Sequence, residues 1–196
     1  NSVAVDLGVG HILHFVSDIL VRAVEKVLAV RQDWSEKNPA VLVALIRAHD
    51  RAAEFIEQPH NRAEAARILG APERIGVDPE VIQRTLDGRL KISPDGTLRE
   101  SNRYLLVGRQ GAARPDPAQA AWLYAQMVRW GQTPISPEAL KVAMAAFRPD
   151  LYDAALGRAA KPTEASDGIG AFAGPAFDAN DIAGHLAAFK IGRRSP

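Results

Sequence analysis

The 196-residue sequence has no cysteine. Disulfide frameworks, thiolate metal sites and thiol nucleophiles are therefore excluded, although a missing cysteine fits any compartment. No apolar run approaches the roughly 20 residues that a membrane-spanning helix needs. Neither sign of charge dominates, since 24 lysines and arginines face 23 acids for a net +1. That balance argues against direct nucleic-acid binding through a broad electrostatic footprint. No G-x-x-x-x-G-K-[ST], G-x-G-x-x-G or G-x-S-x-G motif occurs, and no internal repeat is visible. No signal peptide is evident, and the chain begins at Asn1 rather than at a methionine, which reads as a processed or truncated product.

What is present suits a folded domain, or part of a two-domain protein: 47% of residues are apolar and 24% charged. One device recurs. Asn38-Pro39, Asp78-Pro79, Asp116-Pro117 and Ser136-Pro137 each open a helical pattern. The polar residue caps free N–H groups, and proline suits the first turn, where its missing N–H costs nothing. This predicts helices over 39–57, 79–87, 117–130 and 137–147, with another over 61–69 opened by Asn61 and Glu64 as a capping-box-like pair. Apolar spacing assigns Leu42, Leu45, Ile46, Ala53 and Ile56 to the buried face of the first helix. It assigns Ala120, Leu123, Tyr124, Met127 and Val128 to that of the 117–130 helix.

Strand signals are sparse. Segments 11–16 and 26–30 read as short buried strands, 103–108 as a third strand or an extended connection, and 93–97 as a turn. Gly8-Val9-Gly10 reads as a tight turn between a helix and a strand. So few strands make no self-sufficient sheet: either they pair outside this chain, or the fold is nearly all helix. Residues 158–177 read as a surface linker, and 178–196 as a last helix and tail burying Ile182, Leu186 and Phe189.

Chemistry-bearing patterns are few. His11 and His14 form H-x-x-H, which shares a face on a helix and splits on a strand; their apolar neighbours favour the strand, so no metal site is expected. His49 lies in the apolar stripe of its helix, where a neutral, hydrogen-bonded ring is the ordinary reading. The acids beside Arg47 and Arg51 read as a solvated helix face. No catalytic residues and no cofactor are expected. In the run Arg129-Trp130-Gly131 the glycine marks a helix end, the arginine suits the negative end of the dipole, and Trp130 falls at the edge of the core face. Trp122, Gln126 and Arg129 form a second stripe that requires a partner: another helix, domain or subunit.

The ordered set from "NSVAVDLGVGHILHFVSDI" through "EKVLAVRQDWSEKNPAVLVALIRAHDRAAEFIEQPHNRAEAARIL" to "QMVRWGQ" and "FRPDLYDAAL" resembles the second half of a nitrate-type substrate-binding protein. That family comprises the type II periplasmic-binding proteins of nitrate and bicarbonate ABC transporters, together with cytoplasmic nitrate/nitrite sensors that act with an RNA-binding antiterminator. The resemblance covers residues 1–157. It implies an α/β, helix-dominated C-terminal portion of a two-lobed fold that closes on a small oxyanion, with an N-terminal half preceding it in full-length members. The strands would then lack sheet partners, and a second copy is one way to cover the exposed core. Asn1 and Arg22 are the implied ligand-binding positions. Members carry a charged residue after the "SDI" segment; Val21 cannot serve, and Arg22 supplies a two-pronged donor at a shifted position. His49 and Asp50 stand where apolar residues are usual. The implied partner is an ABC permease in the periplasm, or a regulatory protein in the cytoplasm. Two other readings compete: a helical interaction module using Trp122, Gln126 and Arg129, and an enzyme like the thiamine-precursor synthases of the same fold.

Overall fold

The computed structural model describes residues 2–158 and 168–191. Its elements run α1 (Ser2–Asp6), α2 (Gln32–Lys37), α3 (Pro39–Glu57), α4 (Arg62–Gly70), α5 (Pro79–Leu86), β1 (Arg89–Lys91), β2 (Leu98–Glu100), α6 (Pro117–Arg129), α7 (Pro137–Ala145), α8 (Pro149–Leu156) and α9 (Ile182–Ala187). Short 3-10 turns cover Val16–Asp18, Pro59–Asn61 and Arg109–Gly111. The described residues form two compact units, one within 1–16 and 47–113, the other within 17–46 and 114–196.

The proline-opened helices form where the cap chemistry directs. Asp78 Oδ1 accepts from the Glu80 N–H at 2.8 Å, Asp116 Oδ1 from Ala118 at 2.9 Å, and Ser136 Oγ from Ala139 at 3.2 Å. Each such cap is worth about 1 kcal/mol. Two expected caps behave differently. Asn38 turns backward, donating to the Trp34 carbonyl at 2.9 Å and closing α2. Asn61 sits in helical backbone at the end of a 3-10 turn, so its side chain cannot fold over the first turn of α4; it donates to the Phe55 carbonyl. Glu64 is held by Arg67 instead.

Segments 11–16, 26–30 and 103–108 are not strands in this structure. The one named sheet among the described residues is the β1–β2 hairpin around the 93–97 turn, with Leu90 opposite Arg99. Sequence reading found the turn but not its strands, because each is only three residues long and polar. The first two segments instead lack regular secondary structure and carry exposed apolar side chains, Leu13 at 81% and Val27 at 61%, while 103–108 runs through turns and bends. In the first segment the Ile12 N–H donates to the Ile92 carbonyl.

In the first unit Val5, Phe15, Ala53, Ala65, Ala66 and Leu90 are buried. Phe15 packs edge-on to Tyr104, with the Arg99 guanidinium 4.4 Å from its ring centre. Helices α4 and α5 approach so closely that a Cβ at Gly70 would lie 2.8 Å from the Pro79 ring and the Val77 carbonyl. Asp6 joins three elements, taking Arg84 of α5 at 2.7 Å and Lys91 of β1 at 3.3 Å.

In the second unit Ala120, Ala121, Tyr124, Ala125, Tyr152, Ala155 and Ile182 are buried. The buried face of α6 is rotated from the expected one: Leu123 and Met127 are exposed, while Ala121 and Ala125 are fully covered. Small residues permit close approach by α7 and the C-terminal segment, whereas Leu123 and Met127 lie outside that contact. Trp130, expected to pack, is half-exposed. The Tyr124 hydroxyl donates to the Pro134 carbonyl at 2.8 Å and accepts from the Ser136 N–H at 2.8 Å. Gly131, at φ 68°, ends α6 in a Schellman turn. Its N–H reaches the Val128 carbonyl, and that of Gln132 the Met127 carbonyl, both at 2.9 Å. In α9, Ile182 and His185 are buried, and Leu186 and Phe189 are half-buried.

Candidate functional site

Of the two implied ligand positions, Asn1 lies outside the described residues. Arg22 follows a short antiparallel pairing in which Val21 N–H donates to the Gly170 carbonyl at 2.9 Å and Phe172 N–H to the Ile19 carbonyl at 3.0 Å. Residues 19–21 are thereby held against 170–172, part of the stretch read as linker; residues 159–167 of that stretch, and the tail beyond 191, lie outside the described residues. Arg22 is half-buried and engaged within the protein. The pairing fixes the backbone next to the point from which the Arg22 side chain departs.

The stripe of Trp122, Gln126 and Arg129 meets the C-terminal segment of the same unit. A Cβ on Gly170 would lie 3.2 Å from Trp122 Nε1. Arg129 donates from Nε and Nη2 to the single Ile191 carbonyl oxygen, at 2.9 and 2.6 Å. Its guanidinium lies 3.7 Å from the Phe189 ring centre and 4.9 Å from that of Trp130. Nη1 reaches Gln126 Oε1 at 3.4 Å.

His11 and His14 are exposed, on a segment without regular secondary structure. Among the described residues no group of three histidine or carboxylate side chains is placed to hold a metal ion. His49 is exposed rather than in the apolar stripe of α3, and Asp50 takes the inner position at 7% exposure. The buried line of that helix runs through Leu42, Asp50 and Ala53, not through Leu45, which is exposed.

Two charged assemblies had no local sequence signal. Glu57 Oε1, at the end of α3, accepts from the N–H groups of Val107, Gly108 and Arg109 at 2.9, 3.0 and 3.4 Å. Its Oε2 lies 3.5 Å from Arg109 Nε. Burial pushes the Glu57 carboxyl up, but the three N–H groups and the Arg109 charge together outweigh it, so the group titrates below the usual carboxylate range. The second assembly joins Arg114, just before α6, to Asp153 of α8 through paired bonds of 2.8 and 2.7 Å. Asp153 is held below the usual range by the Arg114 guanidinium, and Arg114 is raised by the carboxylate. The partners stand fifty and thirty-nine residues apart, beyond any periodicity.

Residues 1–70 match the NMT1-like family. The nitrate import ATP-binding protein of Synechococcus elongatus is 29% identical over 193 residues, covering 97% of this chain and 29% of that protein. The nitrate/nitrite binding protein of the same organism is 27% identical over 173 residues, covering 85% of this chain and 39% of that protein. Its bicarbonate-binding protein is 29% identical over 111 residues, covering 55% and 25% respectively. The chain therefore spans well under half the length of these relatives. The crystal structure of the periplasmic nitrate-binding protein from Synechocystis PCC 6803 matches with a TM-score of 0.73 at 24% identity. That match covers 83% of this chain and 44% of the solved one, and it carries the fold alone.

Proposed function

We infer that this chain, which belongs with the nitrate- and bicarbonate-type substrate-binding proteins of ABC transporters, is a binding module for nitrate or a similar small oxyanion. The observation that carries the reading is the relationship, over 85% of the chain, to a protein named for binding nitrate and nitrite. Arg22 is the charged donor assigned to the anion, supported by its fixed position beside the 19–21 pairing. The module binds without catalysis: its relatives are binding proteins and transporter components, and its sequence carries no nucleophile motif.

The ATP-binding relative adds a second point. It matches 97% of this chain, yet the chain has no phosphate-cradling G-x-x-x-x-G-K-[ST] loop. The shared portion therefore lacks the phosphate-cradling loop of a P-loop nucleotide site. Relatives named as an ATP-binding protein and as a binding protein both match this chain, which supports a permease or ATPase component as partner in a transport role; a regulator is the partner in a sensing role. A receptor works in the periplasm and a sensor in the cytoplasm. Among the described residues no helix is long and apolar enough to cross a membrane.

Residues 1–157 act as the C-terminal half of such a protein. Leu7, Val9 and Leu13 in one unit, and Val27, Leu28 and Val30 in the other, are exposed apolar side chains. Val27 and Leu28 are consecutive, so an extended chain points them to opposite faces, as in a strand covered on both sides. Polypeptide outside these 196 residues supplies the missing sheet neighbours, or a second copy covers the surface.

The test is thermal unfolding with nitrate, nitrite and bicarbonate, on this chain and on one joined to the unmatched part of the Synechocystis nitrate-binding protein. Ligand at a hundred times Kd adds about 2.7 kcal/mol to stability. A melting point unmoved by every anion in both proteins refutes the oxyanion assignment. A response confined to the joined protein supports the half-fold, and loss of that response in Arg22→Gln supports Arg22 as the donor.

A further inference from the structure

The donors at the C-terminal end of the α6 stripe outnumber the acceptors they meet. Arg129 aims Nε and Nη2 at one carbonyl oxygen, that of Ile191. This fork of a guanidinium matches the two oxygens of a carboxylate, and an amide carbonyl fills it with one. Beside it, Gln126 is oriented by its Oε1, which accepts from Arg129 Nη1. Its Nε2 is buried and makes no hydrogen bond among the described residues. A buried amide donor without a partner costs about 1–3 kcal/mol, and an added acceptor recovers it. A carboxylate offers about four lone-pair sites where the Ile191 carbonyl offers two.

The present occupant cannot supply that group. Residues 182–196 contain no aspartate or glutamate. What the segment does supply is spacing: an aromatic ring at Phe189, against which the guanidinium lies, and an oxygen acceptor two positions later at Ile191. The Trp130 ring, half-exposed and 4.9 Å from the same guanidinium, extends the apolar rim of the site. Tryptophan and arginine are the residue types that dominate binding energy at protein interfaces.

We propose that Gln126, Arg129 and Trp130 form a docking site for a peptide segment with an aromatic residue two positions before a carboxylate. The chain's own Phe189–Ile191 is the weaker resident of that site. The surface is then self-covered in the isolated protein and opens only to a partner that brings the missing acceptor. This inference does not depend on the oxyanion reading, since none of its residues is assigned to the anion.

The experiment uses the full chain carrying Phe189→Ala, which removes the resident ring. The probe is an acetylated, amidated, fluorophore-labelled peptide of residues 182–191 with Ile191→Asp, compared with the same peptide carrying Ile191→Asn. Anisotropy reads binding, and amide exchange of residues 182–191 in the protein reads release of the resident segment. The expected result is faster exchange in Phe189→Ala, and about tenfold tighter binding of the aspartate peptide than of the asparagine one. That preference should vanish in Phe189→Ala/Arg129→Gln and shrink with added salt. Equal affinity for the two peptides overturns the carboxylate assignment. Absence of binding despite a released segment overturns the site, and unchanged exchange in Phe189→Ala overturns the clasp on which the argument rests. Arg129→Lys, which keeps the charge and loses the fork, is expected to retain only part of the preference.

Discussion

Replacing Glu57 by alanine removes the single acceptor on which three backbone N–H groups converge. In the native protein those groups lie 2.9, 3.0 and 3.4 Å from one carboxylate oxygen, with Arg109 Nε 3.5 Å from the other. Hydrogen bonds to a charged group contribute about 1.5–3 kcal/mol each. The bonds share one oxygen, and the side chain is 15% exposed, so water reaches part of the nest after truncation. The expected loss is therefore that of one to two such bonds, about 2–4 kcal/mol, and about half that for Glu57→Gln, which keeps an uncharged acceptor. Urea unfolding at pH 7 measures the loss, and amide exchange at Val107, Gly108 and Arg109 localises it. The pH dependence has a definite sign. Because the folded-state carboxyl titrates below its unfolded value, its contribution is complete above the ordinary carboxylate range and fades as pH falls through the depressed value. The gap between wild type and Glu57→Gln should close on acidification. A change below about 0.5 kcal/mol in Glu57→Ala, the range of ordinary surface substitutions, with those three amides unaltered, would refute the reasoning.

Three further outcomes are expected. Asp153→Asn leaves the half-buried Arg114 guanidinium without its paired carboxylate and should cost about 3–5 kcal/mol in chemical denaturation. Gly131→Ala forces a side chain into the left-handed turn that ends α6 and should cost about 1–2 kcal/mol, read as a lowered denaturation midpoint. Leu13→Lys and Val27→Lys change exposed positions, so each should alter stability by no more than about 0.5 kcal/mol while reducing self-association in analytical ultracentrifugation.

The helix starts were legible because their chemistry is local: Asp78, Asp116 and Ser136 cap N–H groups two or three residues away, and each proline reinforces the start. Asn38 shows the limit of that logic. The same side chain can serve the helix behind it, and the dipeptide does not say which. Faces were read less well than starts. Periodicity placed His49 inside and said nothing to single out Asp50, and it put Leu123 and Met127 in the α6 core; the structure reverses three of these. A stripe wide enough to admit several orientations is settled by what packs against it, and for α6 that is α7 with a segment nearly sixty residues away. The stretches at 11–16 and 26–30 carry the apolar content of strands. Whether such a stretch becomes a strand depends on neighbours that no window along the chain contains. At the candidate site, the resemblance pointed to Arg22, but the Glu57 nest and the Arg114–Asp153 fork bring together residues far apart in sequence and gave no signal at all.

The hydroxyl of Tyr124 has both of its roles filled, giving its proton to Pro134 and taking one from Ser136. The α6–α7 corner is thus pinned from beneath by a side chain of the preceding helix. Phosphorylation or nitration at that ring would have to prise the corner open first. For anyone wishing to graft a tag or reporter into this protein, residues 131–136 are for the same reason an unsuitable place, although they look like an ordinary surface loop.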